Sequence, residues 1–256
     1  MNPRQRLRSA LTGTGRLVGT FLKLPVLDSV DIAWQAGLDF VVVDGEHSPL
    51  AEEAITPLVR HAATLGLPAL VRLPEVDTGR INRLLEAGAA GVQLSTVRSR
   101  AEVDALVAAT RYPPHGQRSV SLAHPAARFG AVPLPEYLAD AHRYPPVLVV
   151  QIETADTVDP LPSLLTGVDV AFVGTTDLAV SLGGGPDVLA ARIATIAAAA
   201  HAGQVVFGGW VAAPDQAERA GLGAARYLMV GSDLQLLGTA LRDLARSARA
   251  EPGTHL

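Results

Sequence analysis

The segment LDFVVVDGEHSPLAEEAITPLVRHAATLG, residues Leu38–Gly66, contains one complete unit of the predicted fold. Its beginning is apolar almost throughout, and no polar side chain interrupts Phe40–Val43. A strand of this kind is typically buried on both faces, as in a parallel sheet covered by helices. Apolar residues from Ala51 to Leu65 then recur at helical spacing, and Gly66 ends the helix. The segment predicts a strand and a helix of a parallel α/β fold.

The same unit recurs along the whole chain, which predicts the fold class. Eight apolar runs alternate with stretches at helical spacing, and eight such units in about 250 residues predict an α/β protein with a parallel eight-stranded (β/α)₈ TIM barrel. A doubly wound open sheet is the alternative, but no phosphate-binding glycine loop follows the first strand. The predicted strands are Arg16–Leu22, Leu38–Asp44, Pro68–Leu73, Ala90–Ser95, Pro146–Glu153, Val168–Gly174, Gln204–Trp210 and Ala225–Gly231.

Helices are predicted between these strands, and no linker divides the chain. We therefore expect a single barrel domain over residues 1–256, with an N-terminal turn at 1–11, an insertion at 112–144 and a tail at 251–256. The insertion contains a predicted short helix at Pro135–His142. The other predicted helices are Leu27–Ala36, Ala51–Leu65, Gly79–Ala87, Arg100–Thr110, Val188–Ala202, Pro214–Ala220 and Asp233–Ala250.

The composition excludes several classes of protein. With 256 residues, of which 48% are hydrophobic and 18% charged, the chain can bury a large core and is not a disordered sequence. A net charge of −4 argues against a nucleic-acid partner. The absence of cysteine excludes disulfides, thiolate metal sites and a cysteine nucleophile. No apolar run reaches membrane-spanning length and no secretory signal is apparent at the start, so we expect a cytoplasmic protein without a membrane partner.

The candidate functional residues follow the predicted strands, because active sites of TIM barrels lie at the carboxyl ends of the strands. Glu153 follows the fifth strand and Asp177 follows the sixth, so their carboxylates can converge. Two carboxylates form an oxygen site suited to Mg²⁺ or Mn²⁺. Each residue alone is more often a helix cap, but the pair at neighbouring strand ends favours a metal site.

A buried cation and an imidazole are predicted at the same end of the barrel. Arg72 lies on an otherwise apolar strand, where its guanidinium requires an anion. That anion is either a substrate carboxylate or, equally well, Asp44 or Glu46 in a structural ion pair. His47 follows Asp44 by three residues, and a carboxylate beside an imidazole suits a general base, although a lone loop histidine is usually just solvated.

Two further features concern binding and nucleophilic chemistry. The segment Gly174-Thr-Thr-Asp177 opens a short predicted helix, whose free N–H groups can receive an anion such as a carboxylate. Lys23 is the only lysine in the chain. An aldolase that forms a Schiff base requires a lysine in the barrel, so this mechanism is open only at Lys23, as a remote alternative.

Six motifs occur in one order over roughly residues 16–240. On them, the chain resembles the HpcH/HpaI family of class II, metal-dependent pyruvate aldolases, which includes enzymes of the 4-hydroxy-2-oxoheptanedioate aldolase type. The combination of Asp-Gly-Glu-His with Arg-Tyr-Pro-Pro is the most specific part of the resemblance. The motifs are Val43–His47, Val71–Leu73, Leu84–Ala89, Thr110–Arg118, Gln151–Glu153 and Gly174–Leu178.

The resemblance implies a TIM barrel, a metal cofactor and an oligomer. Members of the family bind pyruvate through its carboxylate and its keto oxygen on Mg²⁺, Mn²⁺ or Co²⁺. They are commonly hexamers in which the last helix packs on a neighbouring barrel, so a homo-oligomer, hexamer or trimer, is expected. The apolar positions of the last predicted helix could equally pack on their own barrel; they are Leu234, Leu237, Leu241 and Leu244.

The resemblance also implies a role for each matching residue. Glu153 and Asp177 would bind the metal, and Gln151 would orient the ligands. Arg72 would hold the keto oxygen and neutralise the enolate. His47, paired with Asp44, would transfer protons. The main chain of Thr176 and Asp177 would receive the substrate carboxylate.

The sequence departs from the usual family pattern at three places, which concern the substrate more than the metal. The usual Gly-Pro-Ala-Asp-Leu-Ser is Gly174–Ala179 here, a proline after the fourth strand is replaced by Ser95-Thr96, and a Gly-x-Gly is replaced by Ser119–Ser121. The expected reaction is cleavage of a 4-hydroxy-2-oxo acid to a pyruvate-type 2-oxo acid and an aldehyde, or its reverse. The alternatives are decarboxylation of oxaloacetate, alone or coupled to C–C bond formation, and a non-catalytic barrel that binds a 2-oxo acid.

Overall fold

Eight parallel strands form a closed barrel in chain order, in which each strand pairs with the next and β8 returns to β1. The computed structural model describes residues 2–249. All eight predicted strands are confirmed, with ends within two residues of the prediction. The strands are β1 Leu17–Leu22, β2 Phe40–Asp44, β3 Ala69–Leu73, β4 Gly91–Leu94, β5 Val147–Ile152, β6 Val170–Val173, β7 Val206–Val211 and β8 Tyr227–Ser232.

Helices surround the barrel and follow the predicted order. One prediction is wrong, because Pro214–Ala220 contains only a 3₁₀ helix at Pro214–Gln216. No helix within residues 2–249 is long and apolar enough to cross a membrane. The helices are α1 Pro3–Thr12, α2 Asp28–Gln35, α3 Glu52–Leu65, α4 Thr78–Ala87, α5 Arg100–Thr110, α6 Leu134–Arg143, α7 Leu161–Leu164, α8 Thr175–Leu182, α9 Pro186–Ala202 and α10 Asp233–Arg249.

The N-terminal segment forms the helix α1. The prediction of only a turn over 1–11 is therefore wrong. Asn2 caps this helix: its side chain accepts from the N–H of Gln5 at 2.8 Å, and the Gln5 side chain accepts from the N–H of Asn2 at 3.1 Å. This reciprocal pair satisfies two otherwise free donors. Leu7 and Leu11 are buried from the same helix. The predicted tail, 251–256, lies outside the described residues.

The interior of the barrel is filled near the amino ends of the strands. Phe40 and Tyr227 stack there with their ring centroids 4.1 Å apart, and Phe172 meets Tyr227 edge to face. Gly19 allows this packing, since a Cβ at that position would lie 2.4 Å from the Phe40 ring. Because large side chains close this end, the space for a ligand remains at the carboxyl ends of the strands.

The insertion at 112–144 packs around its own small core, as expected for a segment added to the barrel. It contains a 3₁₀ helix at Pro125–Gly130 and the predicted short helix, which is α6. Tyr112 and Tyr137 are buried together and their hydroxyls lie 3.0 Å apart. The insertion therefore adds a wall between α5 and β5 on the outside of the barrel.

Candidate active site

A cavity of about 170 Å³ opens at the carboxyl ends of the strands. Five of the seven predicted site residues line it; they are His47, Arg72, Gln151, Thr176 and Asp177. The other two, Asp44 and Glu153, are buried beside the cavity and contact residues that line it. The structure thus places all seven in one region.

Asp44 and Arg72 form a buried ion pair at the ends of adjacent strands. They are register partners on β2 and β3, and Arg72 Nε and Nη2 donate to the two Asp44 oxygens at 2.9 and 2.6 Å. Lys23 Nζ lies 3.0 Å from the same carboxylate. Burial alone would raise the pKa of Asp44, but the hydrogen bonds and charge of Arg72, together with Lys23, hold that pKa well below its ordinary value. Asp44 is therefore an anion neutralised by two cations.

Arg72 forms the structural ion pair with Asp44 that was one of the two alternatives from the sequence. The same guanidinium also borders the cavity. Its Cζ lies 4.4 Å from the centroid of the Phe21 ring, and its Nε lies 3.4 Å from Glu46 Oε2. The aromatic ring and the carboxylates fix the plane of the guanidinium. Arg72 is thus a rigidly positioned cation at the cavity wall.

His47 differs from the expectation in the partner of its ring. The contact with Asp44 runs through the main chain, because the N–H of His47 donates to Asp44 Oδ1 at 3.1 Å. The ring Nε2 lies 3.7 Å from Glu46 Oε2, and 59% of the side chain is exposed. The loop after β2 bends back onto Asp44, and this bend directs the imidazole towards Glu46 and solvent.

Glu153 follows β5 and is held beside the cavity by neutral donors. Its Oε1 accepts from both the N–H and the hydroxyl of Thr96, at 2.8 and 2.7 Å. Its Oε2 accepts from the Gln151 amide, whose own oxygen accepts from Gln93 at 2.7 Å. A Cβ at position 174 would lie 2.2 Å from Glu153 Oε2, so Gly174 is required for this close approach. Four residues thus fix one carboxylate.

The second predicted metal ligand lies on α8, close enough to affect Glu153. Burial raises the pKa of Glu153, and the negative charges of Asp177 and Glu46 raise it further against the hydrogen bonds from Thr96 and Gln151. Carboxylates that repel each other inside a cavity favour a bound cation. Glu153 and Asp177 therefore fit a divalent metal ion.

The remaining positions around such an ion would be open. No group of three or more acidic or histidine side chains is placed to hold a metal anywhere between residues 2 and 249. Mg²⁺ is usually held by one or two carboxylates and keeps several water ligands. A two-carboxylate site thus leaves room for the oxygens of a substrate.

Several residues of the site were not predicted. Thr96 follows β4, so the rule used for the other strand ends also identifies it. Trp210 lines the cavity from the end of β7, where the same rule applies. Gln235 lines it from α10, and no local pattern marks that position. Ser119, one of the departures, accepts from Asn82 on α4 at 3.3 Å and does not line the cavity.

A closed parallel barrel with carboxylates, a guanidinium and an imidazole around one cavity at its strand ends has the architecture of a TIM-barrel enzyme. Residues 17–240 match the model of the HpcH/HpaI aldolase/citrate lyase family. The chain belongs to this family of class II aldolases and is a carbon–carbon lyase. Its family is metal-dependent, which agrees with the pair of carboxylates.

Three known proteins show how close the similarity is. A pyruvate aldolase from Rhizobium etli is 33% identical over 240 residues, covering 91% of this chain and 90% of the relative. A 5-keto-4-deoxy-D-glucarate aldolase from Shigella boydii is 34% identical over 180 residues, covering 70% and 69%. The crystal structure of an HpcH/HpaI aldolase from Desulfitobacterium hafniense has a TM-score of 0.88 at 30% identity, covering 98% of this chain and 99% of that chain.

Proposed function

We propose that the protein cleaves a 4-hydroxy-2-oxo acid into pyruvate, or a close 2-oxo acid, and an aldehyde, or forms the same C–C bond in reverse. The observation that carries this proposal is that one cavity is bordered both by a pair of carboxylates without a cation and by a guanidinium in a fixed position. One side suits a metal and the other suits the charge that develops on the 2-oxo oxygen. The relatives named as a pyruvate aldolase and a 5-keto-4-deoxy-D-glucarate aldolase support the same substrate class.

Glu153 and Asp177 would hold the divalent ion, Mg²⁺, Mn²⁺ or Co²⁺. When bound, the ion supplies a Lewis acid that stabilises negative charge on the substrate oxygens. Gln151 and Thr96 orient Glu153 through the hydrogen bonds described above, so the carboxylate does not have to reorganise when the ion binds. Gly174 leaves the space that this arrangement needs.

Arg72 would bind the 2-oxo oxygen and balance its charge during bond cleavage. Its Nε and Nη2 donate to Asp44, so Nη1 is the nitrogen left for a substrate oxygen. The first N–H groups of α8, at Thr176 and Asp177, point along the helix axis into the same region and suit the substrate carboxylate. These contacts hold both ends of a 2-oxo acid in one orientation.

His47 would move the proton of the hydroxyl group at the bond that is cleaved. Its ring is exposed at the cavity and adjoins Glu46, which supplies the neighbouring carboxylate. Lys23 has a different role, because its amine is paired with Asp44 and donates to the His47 carbonyl oxygen at 2.9 Å. These contacts bind the amine to protein acceptors, whereas a Schiff-base lysine has to attack the carbonyl carbon of the substrate.

The test is deuterium exchange at the methyl group of pyruvate, followed by NMR with and without added Mg²⁺ or Mn²⁺. We expect exchange that depends on the metal, stops with EDTA and is lost in Arg72→Ala. Full exchange in EDTA would refute the metal-dependent mechanism. Faster turnover of oxaloacetate than of any 4-hydroxy-2-oxo acid would identify the enzyme as a decarboxylase instead.

We also propose that the protein is a homo-oligomer, hexamer or trimer, through α10. The leucines of this helix remain about half exposed; they are Leu234, Leu236, Leu237, Leu241 and Leu244, with exposed fractions of 44–65%. A row of apolar side chains this exposed is typical of an interface. Light scattering should give a mass above that of one chain for the wild type and a smaller mass for Leu241→Glu. A monomeric wild type would contradict the proposal.

A further inference from the structure

A second cavity, of about 400 Å³, lies on the opposite side of the barrel from the candidate active site. It is formed where α5 ends and β5 begins, so it lies toward the amino ends of the strands. The motif Thr110–Arg118, which supplies the most specific part of the family resemblance, provides half of its lining: Thr110, Arg111, Tyr112, His115 and Arg118. None of these side chains lines the active-site cavity. The side chains of this motif therefore do not border the active-site cavity.

Arg118 is the most enclosed cation of this cavity, with 3% of its surface exposed. Its Nε donates to Asn82 at 2.8 Å and its Cζ lies 4.7 Å from the centroid of the Tyr112 ring. Its Nη2 is buried and has no hydrogen-bond partner among the described residues. A buried donor without a partner is costly, and more so when it is charged. The guanidinium is thus incompletely satisfied by the protein alone.

Arg111 lines the same cavity, and among residues 2–249 its side chain forms one hydrogen bond. Its Nη1 donates to the carbonyl oxygen of Pro146 at 2.5 Å. Burial, together with the nearby charges of Arg8 and Arg4, lowers the pKa of Arg111 to about 10 against the attraction of Asp169. The group remains charged at neutral pH, so the cavity presents a second cation.

The acidic residues of the neighbourhood are used by other partners. Asp169 accepts from Arg8 at 2.9 Å and from the N–H of Leu148 at 2.8 Å. Asp140 accepts from Gln5 at 2.8 Å, and Glu86 accepts from Asn82 at 3.2 Å. Within the described part of the chain, neither Arg111 nor Arg118 has a carboxylate within salt-bridge distance.

We propose that this cavity binds the phosphoryl group of a small phosphate monoester between Arg111 and Arg118. The planar guanidinium matches the oxygens of a phosphate in pairs. His115 and His142 line the opening with their ring centroids 5.6 Å apart, and the Nε2 of His142 donates to the carbonyl oxygen of Pro113 at 3.1 Å. A volume of about 400 Å³ exceeds that of a bare phosphate and lies within the range of small-molecule sites. The ligand is therefore an organic phosphate.

The test is isothermal titration calorimetry of the full chain with inorganic phosphate and, separately, with glycerol 3-phosphate. The variants are Arg111→Gln and His142→Ala, and the matched control is Arg219→Gln, whose side chain is 77% exposed elsewhere on the surface. Arg72→Ala serves as a second control, because it removes the cation at the active site. Circular dichroism and thermal unfolding show whether each variant is folded.

We expect one site per chain, unchanged in Arg219→Gln and Arg72→Ala, and weakened at least tenfold in Arg111→Gln. Tighter binding of the ester than of inorganic phosphate identifies an organic ligand, and equal binding identifies phosphate itself. If Arg111→Gln does not fold, the exposed His142 still tests the site through a severalfold weaker affinity in His142→Ala. Three outcomes would overturn the proposal. They are an unchanged affinity in the folded variants, a loss of binding in Arg72→Ala, and no binding at phosphate concentrations on the order of 10 mM.

Discussion

The two sides of the active-site cavity hold their carboxylates in opposite electrostatic states. On the side of β2 and β3, Asp44 is surrounded by Arg72 and Lys23, and its pKa is lowered. On the side of β4 and β5, Glu153 receives only neutral donors and lies near Asp177, and its pKa is raised. Both carboxylates are buried in one barrel, so the difference comes from their neighbours.

Because of this difference, Asp44 is a structural carboxylate, whereas Glu153 needs a cation from outside the chain. Asp44 already has its counter-charge, and removing it would deprive Lys23 of its carboxylate and leave Arg72 only the longer contact with Glu46. Glu153 has hydrogen bonds that fix its position but no positive charge that balances it. The side with the unbalanced charge is therefore where a cation belongs, and the side with the balanced charge positions Arg72.

The largest expected effect is that of Glu153→Gln. Without this carboxylate the metal is no longer held, so pyruvate exchange should fall by about 10³-fold, or about 4 kcal/mol in activation free energy. We expect Mn²⁺ to raise the melting temperature of the wild type and to leave that of Glu153→Gln unchanged. Glu53→Gln, at an exposed position of α3, is the matched control. Exchange within threefold of the wild type in Glu153→Gln would show that the cation does not belong here.

Asp44→Asn tests the balanced side through stability. Removing the carboxylate that Arg72 and Lys23 share, with only Glu46 left beside Arg72, should lower the free energy of unfolding by about 3 kcal/mol, measured by urea denaturation at pH 7. Since the pKa of Asp44 is lower in the folded state, its stabilisation is present above the ordinary pKa of about 4 and is lost as the pH falls below that value.

The stability difference between wild type and Asp44→Asn should accordingly be constant from pH 7 to 5 and shrink only below about pH 4. Asp215→Asn, at a side chain 78% exposed, is the control and should change stability little. A difference that grows on acidification, or one below about 1 kcal/mol at pH 7, would contradict the ion-pair interpretation.

His47→Asn should separate proton transfer from metal binding. General acid–base groups typically contribute 10²-fold or more, so cleavage should slow by about 100-fold. Metal affinity should stay the same, because the carboxylate beside the ring is that of Glu46 and not one of the two proposed metal ligands. His201→Asn, exposed on α9, provides the comparison. An equal loss of metal affinity would place His47 among the ligands.

Thr96→Ala gives the smallest expected effect. It removes the hydroxyl that donates to Glu153 and keeps the main-chain N–H bond, so metal affinity should fall by about tenfold. Titration with Mn²⁺, followed by electron paramagnetic resonance, measures this change. Thr195→Ala on α9 is the control. Unaltered affinity would show that Gln151 and the main-chain N–H of residue 96 are sufficient to orient the carboxylate.

The sequence was sufficient for the barrel because every strand is a separate apolar run. The helix α1 was missed, although Asn2 and Gln5 have the spacing of a capping box, because its polar, arginine-rich face hides the two buried leucines. The helix predicted at Pro214–Ala220 was wrong because helical spacing over seven residues is weak evidence.

The sequence predicts the site residues that lie at or just after the ends of strands. Glu153, Asp177 and Arg72 follow or end strands, and the barrel brings such positions together. The orientation of the His47 ring depends on a loop that turns back onto Asp44, and no spacing rule contains that information. The anchoring of Glu153 by Thr96 joins residues 57 positions apart, so it emerges only from the pairing of β4 with β5.

Thr96 holds Glu153 from a backbone conformation that threonine rarely adopts, with φ at 52°. A glycine would relax this position by about 1 kcal/mol but would remove the hydroxyl. At position 96, glycine therefore favours thermal stability and threonine favours metal binding. Directed evolution for thermal tolerance alone should favour Thr96→Gly, and the surviving variants should need higher metal concentrations to work.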